Sequence, residues 1–194
     1  MRSTIVIPVI LLLAACGGDR AANKAGDKAE PSGTPAAAAA PATSTADALA
    51  SLPEASRAPF GAMMAAYDSI HAALAADKTD GVAEAAKAVS GAARVLQSGA
   101  TEPSKMYYGA IATEADNLAA DAVDITKARQ RFGELNKPMI SLLVANPVLA
   151  KGRVVIECPM TKNYRKWLQT DEKVKNPHYG STMLECGTVS KLEL

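Results

Sequence analysis

Two cysteines, Cys158 and Cys186, two methionines, Met160 and Met183, and one histidine, His178, fall within 29 residues near the C-terminus. Thiolate, thioether and imidazole form a soft ligand set, of the kind that selects Cu(I) or, through thiolate and imidazole alone, Zn(II). Cys158 and Met160 are one residue apart and Met183 and Cys186 two apart. Such spacings let two donors from one turn face one ion, with a second pair closing the site and His178 adding nitrogen. The same cysteines could equally form a disulfide, closing a loop of 29 residues worth roughly 3–4 kcal/mol in the chain-entropy model. They could also remain free, although no CxxC motif marks a redox thiol. Taken singly, the residues have plainer uses. Met160 and Met183 suit core filling, His178 beside a proline turn suits a surface, and Trp167 suits a packing anchor.

Catalytic signatures are missing: no HExxH, no phosphate-binding glycine loop and no Ser/His/Asp order occurs. With two histidines in the chain, acid–base catalysis would need one without an evident partner, so the expectation is a binding protein and not an enzyme. The formal charge is +1 and falls to 0 when residues 1–15, which contain only Arg2, are removed. That balance gives no footprint for nucleic acid.

The elements that must position the constellation start behind a leader. Arg2, the apolar run Ile5 to Leu13 and Leu13-Ala14-Ala15 before Cys16 read as a signal peptide over 1–15. Cysteine at that place resembles a bacterial lipobox, so Cys16 is expected to carry the lipid anchor, each buried methylene contributing roughly 0.8 kcal/mol. Asp19 follows Gly17-Gly18 rather than Cys16 directly, which favours the outer membrane over the inner one. The expected location is the periplasm, held at the membrane by lipid. Residues 16–45 lack large apolar side chains and read as a disordered Ala/Pro-rich tether.

Residues 46–194 then suffice for one folded domain. Four apolar stripes at helical spacing run through Phe60, Met63, Met64, Tyr67, Ile70, His71 and Leu74; Val82, Ala86, Val89, Ala93 and Leu96; Tyr107, Tyr108, Ile111, Ala115, Leu118 and Ala122; and Ala128, Phe132, Leu135, Met139, Leu142 and Leu143. Short breaks predict a mainly α fold, a four-helix up-and-down bundle over 46–150, with Thr79 or Asp80 capping the second helix and Pro138 kinking or ending the fourth. Over 151–194 a small loop and β-ribbon cap is expected. There Val154–Ile156 pairs with Thr188–Leu192, Lys162 to Trp167 makes a helical turn, and both cysteines come to one end.

Arg129-x-x-Phe132-x-x-Leu135, Cys158-Pro159-Met160, Trp167-Leu168, Asn176-Pro177-x-Tyr179-Gly180 and Met183-Leu184-x-Cys186-Gly187 together resemble the bacterial domain of unknown function 3347, over roughly residues 58 to 190. The resemblance implies a periplasmic helical domain, found alone on lipoproteins and attached to adaptor subunits of heavy-metal efflux systems. Carried onto this sequence, it implies Cys158, Met160, Met183 and Cys186 as metal candidates, Cu(I) as the ion, and an efflux adaptor or other envelope protein as partner. The segment between Met160 and Trp167 is basic here, with Lys162, Arg165 and Lys166, where the family is often glycine-rich.

Overall fold

A computed structural model describes residues 45–162 and 164–194. The segment read as a signal peptide, Cys16 and the span read as a tether, as far as residue 44, lie outside the described residues. The chain forms α1 (Thr45–Ala50), α2 (Glu54–Ala75), α3 (Val82–Gly99), α4 (Ser104–Asp121), α5 (Ile125–Ala145), β1 (Val154–Glu157), β2 (Lys166–Gln169) and β3 (Thr188–Ser190), with single 3-10 turns at Pro147–Ala150 and Gly180–Thr182. None of the described helices is long and apolar enough to cross a membrane.

The four stripes become the inner faces of α2 to α5. Every residue of the first, second and fourth is buried, and in the third only Tyr107 is partly exposed. Three short connections leave each helix packed on the next in sequence, the arrangement short loops enforce. Ala86 and Ala93 on α3 and Ala112 and Ala115 on α4 are fully covered, so small side chains line the α3–α4 seam. Bulk is concentrated instead between α2, α5 and the cap, where Tyr67, Phe132 and Trp167 are each 0 % exposed.

Several local expectations need correction. The short helix α1 starts at Thr45, inside the span read as tether, and Leu49 packs over Gly61 of α2. Helix α3 is preceded by Gly81 in the left-handed region, φ +76°, with no side-chain cap from Thr79 or Asp80. Glycine adopts that left-handed backbone without steric cost, and as it has no side chain the first N–H groups of α3 receive no side-chain acceptor from it. Asp124 caps α5 instead, accepting from the Thr126 and Lys127 N–H groups at 2.8 and 3.0 Å. Pro138 does not end α5, which continues to Ala145; its ring is buried, so packing offsets the missing hydrogen bond.

The cap is a three-stranded antiparallel sheet in the order β2-β1-β3. The expected β1–β3 pairing is present, with Glu157 opposite Thr188. The helical turn expected at Lys162 to Trp167 is not, because Lys166–Gln169 extends as β2 and pairs Trp167 with Ile156. Three polar ties lock sheet to bundle. The Leu168 N–H donates to the Tyr67 hydroxyl at 3.0 Å, and that hydroxyl donates to Asn136 Oδ1. Arg153 makes a two-pronged pair with Asp68 of α2 at 2.6 and 2.7 Å, the strong geometry for guanidinium and carboxylate. His71 Nε2 lies 2.7 Å from the Lys175 carbonyl, which makes it the protonated nitrogen, since a carbonyl only accepts.

Candidate thiol site at the cap

Antiparallel register is what brings the two thiols together. With Glu157 opposite Thr188, the chain leaves β1 at Cys158 on the same end of the sheet where it enters β3 from Gly187. Cys158 is 0 % exposed and Cys186 half-buried, and both are free thiols.

Asn176, also 0 % exposed, organises the loop that delivers Cys186. Its N–H donates to the Leu184 carbonyl at 2.7 Å and its side-chain amide to the Cys186 carbonyl at 2.8 Å, while its Oδ1 accepts from the His178 and Tyr179 N–H groups. One buried asparagine therefore ties residues 176 to 186 into a compact loop, its polar atoms paired as burial demands.

A second clamp fixes the base of that loop. Arg129 of α5 donates to the carbonyls of Pro177 at 3.0 Å and Leu74 at 2.9 Å and to Asp77 Oδ1 at 2.6 Å. Asp77 Oδ2 accepts from the Ser181 N–H at 2.9 Å. The hydrogen bonds from Ser181 and Arg129 hold the Asp77 carboxyl down at about 2. Gly180 sits at φ +55°, and a Cβ there would lie 2.0 Å from Asp77 Oδ1 and 2.3 Å from Arg129 Nη2. The glycine is thus required both by its backbone angle and by the clamp against it.

The thiols differ in acidity. Burial pushes the Cys158 thiol up, but the Cys186 thiol, the Met160 N–H, the Thr161 hydroxyl and the Asn176 amide all favour the ionised sulfur, and the net shift is downward. Cys186 moves upward, chiefly because its thiol donates to Cys158, with burial adding to the shift. The two thiols titrate as a pair in which Cys158 is the favoured thiolate and Cys186 the hydrogen-bond donor to it.

The other candidates divide. Met160 contributes its backbone N–H to the thiols while its side chain is 58 % exposed at the rim. Met183 is half-buried one turn before Cys186, whose N–H donates to the Met183 carbonyl at 3.0 Å. His178 packs its ring edge-on to Trp167, with centroids 5.6 Å apart, and tilted to Phe132 at 6.1 Å. Among the described residues no group of three or more His, Cys, Asp or Glu side chains is placed to hold a metal ion. Sequence reasoning missed Thr161 as a thiol neighbour and read Asn176 only as a turn residue. Neither carried a signal beyond its place near Cys158 or in the Asn-Pro turn.

The environment of His178 has a measurable consequence. Burial, with help from Arg129 and His71, lowers its pKa from 6.5 to about 4, and His71 is lowered too, by burial. Between pH 6.5 and 4 the unfolded chain takes up a proton at residue 178 that the folded chain refuses, so stability falls as pH drops through that window. At about 1.4 kcal/mol per unit the His178 share comes to roughly 3 kcal/mol. Denaturant unfolding of the parent and of His178→Gln, at pH 7 and pH 4.5, should show a smaller acid loss in the variant. Equal losses would remove His178 from the explanation.

Compared with known proteins, the chain matches no family model, no curated protein and no solved structure. The class defined by fold and site is a mainly helical bundle with a three-stranded cap that holds two neighbouring thiols of unequal acidity.

Proposed function

We propose that this is an exported, lipid-anchored binding protein that takes one soft metal ion, Cu(I), at Cys158 and Cys186, for buffering or hand-over to an envelope efflux partner. One observation carries the reading: two thiols meet at the cap, one favoured as thiolate by four polar neighbours. Cu(I) is satisfied by two thiolates in line and accepts a thioether as a weak third donor, so a third His or Cys ligand is not required. Met160 at the exposed rim and Met183 before Cys186 are the thioethers within the same loops. The exposed Met160 sulfur is suited to passing the ion to a partner. The lipobox-like Cys16 and the resemblance to a domain carried by heavy-metal efflux adaptors support the same assignment. The chemistry is binding, not catalysis.

The same proximity favours a second reading, a disulfide-stapled envelope interaction domain without a metal. Intact mass of the full chain purified without reductant, before and after Cu(I) addition, separates the two. Two free thiols and one retained copper are expected. A mass two hydrogens light, with no copper uptake, would establish the staple and overturn the metal reading.

A further inference from the structure

A second site lies beside the thiols, between the first turns of α5 and the β1–β2 connection. It is a cleft of about 360 Å³ lined by Thr126, Arg129, Gln130, Thr161, Lys162, His178 and Tyr179, at the small end of the range for ligand sites. Its lining is one-sided in charge. Arg129 and Lys162 are the charged side chains in the wall, and no carboxylate lines it. The nearest acids are already engaged: Asp77 with Arg129 and the Ser181 N–H, and Asp124 with the Thr126 and Lys127 N–H groups.

Donors in this wall remain available. Lys162 is exposed and takes part in no ion pair among the described residues. Arg129 spends Nε and Nη2 on its clamp, leaving Nη1 outside those bonds. His178 Nε2 is buried with no hydrogen-bond partner among the described residues, although buried polar atoms are nearly always paired; the Thr161 hydroxyl in the same wall already serves Cys158. An unpartnered polar atom beside two cations lines a surface suited to a compact polar group of negative charge. Phe132 and Trp167 back the His178 ring, so the wall is held on rigid elements.

We propose that this cleft binds a small anion, a carboxylate or phosphate group, gripped by Lys162 and Arg129 and by the neighbouring hydroxyl and amide donors of Thr126 and Gln130. The cleft adjoins the thiol pair through Thr161, whose hydroxyl faces Cys158. A ligand larger than the cleft would present only its anionic group, with the remainder in solvent.

The test is titration of the reduced full chain with inorganic phosphate and, separately, with succinate, followed by NMR at constant ionic strength. Saturable shifts of the Thr161, Lys162 and His178 signals are expected with at least one anion, and which anion saturates tells phosphate from carboxylate. Lys162→Glu reverses an exposed charge without touching the core and should weaken binding about tenfold or more, the worth of a hydrogen bond to a charged group. Shifts that stay linear and match those from sodium chloride would overturn the proposal. So would an affinity unchanged in Lys162→Glu.

Discussion

Replacing Cys158 with serine should abolish Cu(I) binding by the reduced protein. A serine hydroxyl stays protonated near neutral pH and is a hard donor, so the ion keeps only one sulfur from the pair. Cys186→Ser should do the same, leaving the more acidic thiol without its partner. Both losses should exceed the roughly 10- to 100-fold that removal of an outer-shell contact costs. Thr161→Val supplies that smaller effect for comparison, because it removes one of the groups favouring the Cys158 thiolate and no ligand. Competition against a colorimetric Cu(I) chelator under anaerobic conditions ranks the variants, with far-UV circular dichroism confirming that each is folded. Parental affinity in both serine variants would end the metal reading. A strong loss in Cys158→Ser alone would move the second ligand from Cys186 to a methionine.

Trp167→Ala should be the most damaging single change to stability. The indole is fully buried on β2 and pairs with Ile156 across the sheet. It packs on His178 and donates from Nε1 to Gln169 Oε1 at 3.1 Å. Truncating such a side chain typically costs about 3–5 kcal/mol, against a total of roughly 5–15 kcal/mol for a domain. Trp167→Phe should recover part of the loss. Because Trp167 is the only tryptophan, unfolding has to be followed by far-UV circular dichroism in urea. The damage should also reach the thiols, since Gly187 beside Cys186 lies against the indole. Faster alkylation of Cys158 in Trp167→Ala is the expected sign. A loss of only a few tenths of a kcal/mol, the scale of an ordinary surface substitution, would mean that the indole does not anchor the cap.

The helical framework was legible because each stripe repeats its apolar residues at the helix period, and burial of those stripes is the main driving force for a helix to pack. Phe60 through Leu74 and Ala128 through Leu143 needed no tertiary information to be placed inward. Joining the two cysteines was legible as well, since β-branched runs at Val154–Ile156 and Thr188–Val189 bracket Cys158 and Cys186 and an antiparallel pairing must bring them to one end.

Other features depended on partners remote in the chain. Lys166–Gln169 carries no alternation long enough to read as a strand; it becomes β2 because β1 offers it a hydrogen-bonding edge and Tyr67, 101 residues from Leu168, takes the Leu168 N–H. Gly81 stands at the start of α3 in place of the expected Thr79 or Asp80 because the turn from α2 enters the helix through a left-handed backbone that favours glycine. The donor set around Cys158 draws on Thr161, Asn176 and Cys186 at once, and the anion cleft joins α5 to a loop beyond β1. The sequence by itself determined which residues are apolar and at what period, and hence four packed helices and a thiol-bearing ribbon. Only the tertiary structure decided how acidic each thiol is and which cations share a cleft, because both depend on desolvation and on distances between groups far apart in the chain.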